Sequence, residues 1–192
     1  MNLVERAKAI ILSPNSEWPV IDREPDSIRD IFVNYVAILA AIPAVCRFIG
    51  TALVGFSVMG VTYRVPLGSA LASAIVGYVL TFVGVYVLAF ITDWLAPRFK
   101  GTQNMTSAVK LAAYAATPAW LAGVFSLIPA LSFLGILGLY SLYLFYAGVP
   151  VMMKSPSEKS LGYTITIIVI AIVIAVVIGF LRVTLIGIPN YG

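Results

Sequence analysis

The chain has 192 residues, of which 61% are hydrophobic and only 10% charged, with a net charge of +4 and no His. Soluble domains carry roughly 25% charged residues, so an ordinary water-soluble protein is excluded and a polytopic membrane protein with short loops is indicated. Beyond residue 30 the only carboxylates are Asp93 and Glu158, which excludes a paired-carboxylate acid/base site in the body of the chain; without His and with a single Cys46, zinc sites, bis-His haem and an intramolecular disulfide are excluded too.

The first 30 residues hold six acids and four basic residues, unlike a signal peptide, which sets a basic start directly before an apolar run. Leu3, Ala7, Ile10 and Ile11 recur at helical spacing, with Glu5, Arg6 and Lys8 on the other side, so a short amphipathic helix is expected, ended by Ser13-Pro14. It either lies on the membrane surface or packs against the protein's own cytoplasmic ends. Trp18 suits the headgroup zone. Pro25, followed by Asp26 and Asp30, reads as a helix start, because acids there complement the dipole. Residues 1–30 thus form a polar cytoplasmic segment.

Five apolar stretches follow, at about 31–58, 69–92, 108–129, 131–153 and 161–188, each long enough to span a bilayer; residues 189–192 form a short outer tail. The first contains Pro43 and Arg47, and the third contains Thr117-Pro118. Almost nothing separates the third from the fourth, which predicts a tight helical hairpin. The expected fold is an all-α, polytopic, five-span transmembrane bundle. With the N-terminus inside, the cytoplasmic pieces carry nine Lys and Arg and the outer pieces two, Arg64 and Arg182. That asymmetry predicts N-in, C-out.

In lipid, helices associate through small residues four apart. Ser69, Ala70, Ser73, Ala74 and Gly77 form one such ridge, and Ala112, Ala115, Ala116, Ala119 and Gly123 another; both are expected to pack. The bulky fifth stretch should be the most lipid-exposed, or buried against a copy of itself. Tyr140, Tyr143 and Tyr146 recur every third residue, as a packing and interfacial stripe or as an aromatic groove for an apolar ligand. Arg47 has two placements: near mid-membrane, which costs at least ~2.5–3.5 kcal/mol and marks function, or snorkelling to outer headgroups. A break at Pro43 favours the second. Asp93 and Lys110, at the cytoplasmic ends of adjacent helices, are expected to form a salt bridge.

The runs KLAAYAATPAWLAGVFSLIP (Lys110 to Pro129) and LGLYSLYLFYAGVPVMMKSPSEKSLGYTI (Leu137 to Ile165) resemble the prokaryotic branch of the Ypt/Rab-interacting protein (YIP) family. The correspondence rests on Tyr114 and Pro118 in the third stretch, Gly138-Leu139-Tyr140 in the fourth, and Lys154, Pro156, Gly162 and Tyr163 around the last loop. It implies an integral protein of the prokaryotic cytoplasmic (inner) membrane. Eukaryotic members bind prenylated Rab-type GTPases and act in membrane organisation; their acidic Asp-Leu-Tyr-Gly-Pro segment has no counterpart here.

No phosphate-cradling or dinucleotide fingerprint occurs, so no cofactor is expected, nor nucleic acid, since the basic residues sit where anionic lipid is the obvious partner. The leading expectation is a non-enzymatic protein that organises membrane or engages lipids, other membrane proteins or itself. The second is a small transporter, channel or lipid-handling oligomer, since interrupted helices can expose carbonyls to a solute. Candidate contacts are Arg47, Asp93, Lys110, Tyr114, Pro118, Tyr140, Tyr143 and Tyr146.

Overall fold

The computed structural model describes residues 2–58 and 61–186. The expected outer tail 189–192 and the last two residues of the fifth stretch lie outside them. Apart from one small hairpin, every regular element described is helical.

Helix α1, Leu3–Leu12, starts at a capping box in which Asn2 accepts from the Val4 N–H and Glu5 reaches back to the Asn2 N–H. Helix α2, Pro14–Arg23, follows immediately, with Pro14 in the first turn, where its missing N–H costs nothing. The polar sequence of α2 and its internal Pro19 argue against a helix. Trp18 and Ile21, both fully buried against the bundle, supply the burial that overrides that preference. Trp18 is therefore a core residue, not a headgroup anchor.

Helix α3, Ile28–Val54, opens with a second capping box, Ser27 with Asp30. It widens to π-helical geometry at Phe32–Val36 and Gly50–Val54 but runs through Pro43 without a break. Gly55, at φ +77°, turns the chain into the antiparallel pair β1 (Phe56–Val58) and β2 (Val61–Tyr63), a conformation that an L side chain resists. The Val65 N–H then donates to the Thr51 carbonyl at 3.0 Å, folding the hairpin back on the helix end.

Helix α4, Leu67–Phe99, closes in a 3-10 turn from Ala96. Helix α5, Met105–Leu127, is capped by Asn104, which accepts from the Ser107 N–H at 3.1 Å. It breaks at Ala116 and resumes at Thr117-Pro118. Ile128 alone joins it to α6, Pro129–Met152, the tight hairpin expected from sequence. The first eleven residues of α6 form a long 3-10 helix, Pro129–Leu139. Helix α7 covers Ser157–Ile186. Among the described residues α3, α4, α5 and α6 are long and apolar enough to cross a membrane.

Helix α5 is the axis of the molecule. Its residues 108–115 are all buried, and α1, α3, α4 and α6 pack around it. The small-residue ridge expected there is present: Ala112 and Ala115 are buried, Gly123 lies against Pro43, and Ala119 lies against Gly138. Of the ridge expected on α4 only Ala70 is buried. Ser69 and Ser73 are exposed, and space around Gly77 is open. Because α4 runs antiparallel to α5, its other end meets the buried part of α5, and contact is made through Val85, Ala89 and Thr92. Helix α7 touches the bundle near its start through Tyr163, Thr164 and Ile167.

Close approach of α3 and α5 depends on Gly50. A Cβ there would lie 2.0 Å from the Ser126 carbonyl oxygen, a backbone atom that no rotamer change can move. Gly50→Ala should therefore destabilise the protein in detergent by about 1–3 kcal/mol, the usual range for overpacking. An unchanged thermal denaturation midpoint would contradict this contact.

Candidate functional site

The charged residues of the N-terminal segment converge where α1 and α2 meet α5 and α6. Arg6 shares the buried side of α1 with Ala7 and Ile10. Its guanidinium forms ion pairs with Glu17 of α2 and with Glu24 just beyond it. The same guanidinium lies 5.7 Å from the centroid of the Tyr114 ring, within cation–π range. Buried charges persist only when paired and hydrogen-bonded, and this three-residue cluster satisfies that condition.

Lys110 of α5, also buried, donates its ammonium to the carbonyls of Ile21 and Glu24. Both lie at the C-terminal end of α2, where a lysine complements the helix dipole, and the Ile21 carbonyl also accepts from the Glu24 N–H at 3.3 Å. Lys154 pairs with Asp22 from the loop after α6. The Trp18 ring lies on Gly148, where an added Cβ would approach the indole to 2.6 Å. Pairing and packing thus hold α1–α2 on the bundle from several directions.

Beneath the ion cluster, the Tyr35 and Tyr114 rings meet at 4.4 Å between centroids, with Trp120 beyond at 6.5 Å. The Tyr35 hydroxyl and the Thr117 hydroxyl lie 2.6 Å apart, and Thr117 donates to the Tyr114 carbonyl at 2.7 Å. That bond occupies a carbonyl left free by the interruption before Pro118, which cannot donate an N–H.

A seam remains between α1 and α3. Its outer part is a polar cavity of about 350 Å³ lined by Arg6, Glu24, Asp26, Asp30, Asn34 and Tyr114, among others. Its deeper part is an apolar groove, also about 350 Å³, lined by Val4, Ala7, Lys8, Ile38, Ile42 and Leu121, among others. Leu3 lines both.

The residues singled out in the sequence are not brought together. The expected Asp93–Lys110 salt bridge does not form, because Lys110 turns to α2 instead; Asp93 Oδ1 is buried with no hydrogen-bond partner among the described residues. Tyr114 and Pro118 are buried at the docking surface. Tyr140, Tyr143 and Tyr146 stand exposed along α6; the Tyr140 and Tyr143 rings meet at 5.3 Å between centroids, and the Tyr140 hydroxyl donates to the Ile11 carbonyl at 3.0 Å. Arg47 is exposed on α3 and forms no ion pair among the described residues. Tyr163 is fully buried, stacks on Phe99 at 4.7 Å and donates to the Thr92 carbonyl, clamping α7 onto the end of α4.

Sequence reasoning missed Arg6, Glu17, Glu24 and Tyr35. A signal existed for Arg6: with Leu3 and Ile10 it recurs at 3, 6 and 10, a helical stripe. Assigning it to the polar face by residue type hid that position.

A Yip1 domain model matches residues 8–178. The chain is also 29% identical to an inner membrane protein named YohC in Escherichia coli strain K12, and equally to that of strain O6:H1, over 91% of this chain and 92% of the relative in each case. No solved structure matches. With a family model that covers nearly its whole length and four helices of spanning length, this chain belongs to the Yip1 domain family of membrane proteins.

Proposed function

We propose that this protein is a non-enzymatic organiser of the inner membrane, with five spans, its N-terminus in the cytoplasm and its C-terminus outside. The E. coli relative's name supports the location, and the nine-to-two partition of Lys and Arg supports the orientation. On this reading α7 is the fifth span, and α1–α2 form a cuff at the cytoplasmic end of the bundle.

The observation that carries the reading is the use to which the paired charges are put. Arg6 ties α1 to α2 through Glu17 and Glu24 and reaches the bundle over the Tyr114 ring, while Lys110 and the Lys154–Asp22 pair bind α2 to the bundle. Lys8, Arg98 and Lys100 stand exposed beside them, suited to anionic headgroups. At the other end Arg47 and Arg64 are exposed and far along the chain from any carboxylate. Arg47 lies about 25 Å along the helix from Asp30, counting 1.5 Å per residue. That distance favours a guanidinium snorkelling to outer-leaflet phosphates over one at mid-membrane. The transporter reading draws on Arg47 and on helices broken at Pro43 and Thr117-Pro118; α3 is continuous at Pro43, and at the interruption in α5 the Thr117 hydroxyl donates to the Tyr114 carbonyl.

Topology is directly testable. In a Cys46→Ala background, single cysteines at Arg64 and Gly192 should react with a membrane-impermeant maleimide added outside intact spheroplasts. Cysteines at Asn15, Thr102 and Glu158 should react only after permeabilisation. Labelling of Gly192→Cys and Asn15→Cys from the same side would refute five spans.

A further inference from the structure

We propose that the seam between α1 and α3 is a binding site for one phospholipid with a primary-amine headgroup, which rests on the lipid-engaging part of the function proposed above. Ile31, Asn34, Tyr35, Ile38, Leu39 and Ile42 lie on one face of α3 at successive helical spacings. The first three line the polar cavity and the last three the apolar groove, with Leu3 shared between them. The seam therefore changes from polar to apolar along a single line running into the bundle. A phospholipid has the same order, headgroup first and acyl chain behind it.

The polar part selects the headgroup by charge. Arg6 is already engaged by Glu17 and Glu24. Asp26 forms no ion pair among the described residues, and Asp30 is bonded only to the Ser27 cap through Oδ2. Two carboxylates thus border the cavity with no cation within ion-pairing distance among the described residues, Lys110 acting on Asp26 and Arg29 on Asp30 from farther away. Tyr114 supplies an independent sign of a missing ligand. It is 5% exposed and lines the cavity, yet its hydroxyl has no hydrogen-bond partner among the described residues. A buried phenol normally has one. An ammonium fits here, donating to Asp26 and Asp30, while the Tyr114 hydroxyl bonds to the polar atoms behind it. Lys8 lines the groove together with Val4, Ala7 and Ile11, and its ammonium forms no ion pair among the described residues. It is placed to meet a lipid phosphate while the chain occupies the apolar floor.

The test uses the full chain in vesicles of equal parts phosphatidylethanolamine, phosphatidylglycerol and phosphatidylcholine, extracted in mild detergent and weighed by native mass spectrometry. One phosphatidylethanolamine per chain should be retained in preference to the other two. Asp26→Asn with Asp30→Asn should reduce that preference roughly tenfold or more, since two hydrogen bonds to a charged group are lost. Ile38→Trp provides a second arm that leaves the carboxylates alone. Ile38 is 53% exposed, so the larger ring closes the groove without disturbing the core, and retention should fall again. Equal retention of the three lipids, or a preference indifferent to both variants, overturns the proposal. Preferential retention of phosphatidylglycerol overturns the headgroup assignment while leaving lipid engagement intact, and no retained lipid at all counts against both.

Discussion

Arg6→Ala is expected to loosen α1 from α2 and from the Tyr114 ring of α5, at a cost of about 3–5 kcal/mol, the range for breaking a buried ion pair from one side. The size follows from what remains. Glu17 and Glu24 would keep their positions near α5 without the guanidinium that pairs with both, and the Glu17 side chain is only 11% exposed. Tyr114 would lose the cation over its ring as well. Limited proteolysis of the purified protein should show new cleavage between Arg23 and Ile28, and the thermal midpoint in detergent should drop. Replacing the whole cluster, Arg6→Met with Glu17→Leu and Glu24→Met, should recover most of the loss, because no charge is then stranded. Unchanged proteolysis and midpoint in Arg6→Ala would mean that the cluster does not hold the N-terminal helices.

Trp18→Ala should be nearly as damaging, at about 3–5 kcal/mol for emptying a fully buried aromatic site. The indole fills the space between α2 and the Gly148 region of α6, close to Leu111 of α5. Its Nε1 has no hydrogen-bond partner among the described residues, so the ring acts by volume and apolar area. Trp18→Phe should therefore lose much less than Trp18→Ala, as judged by thermal denaturation in the same detergent. Gly148→Leu should mimic Trp18→Ala, since any side chain at that position meets the indole. Equal losses for Trp18→Phe and Trp18→Ala would point to a polar role for the indole.

Much of the bundle was legible because membrane helices declare themselves by length and apolarity. The near-absence of a loop at Ile128 follows from how little sequence separates two apolar runs, whereas the starts read at Pro25 and near residue 108 fall at the capping residues Ser27 and Asn104. Helix α2 was not legible. Its residues favour a helix only once Trp18 and Ile21 have a surface to bury against, and that surface comes from α5 and α6. The same reason explains the Lys110 error. Asp93 and Lys110 do lie at neighbouring helix ends, but the Ile21 and Glu24 carbonyls at the end of an unrecognised helix take the ammonium. Small residues misled in a related way. A ridge marks where close packing is permitted, and on α4 only its Ala70 is buried, while the space around Gly77 is open. The family motif residues Tyr114, Pro118 and Tyr163 were found by resemblance. Their places, under a docked helix pair and in the clamp on α7, required coordinates.

The long 3-10 opening of α6 has a consequence for how far that rod reaches. Eleven residues at about 2.0 Å each and thirteen at about 1.5 Å give that rod a height of about 41 Å from only 24 residues. At 1.5 Å per residue an ordinary helix would need about 27 residues for the same height. Stretching the backbone thus lets a shorter segment cover the distance of a longer one.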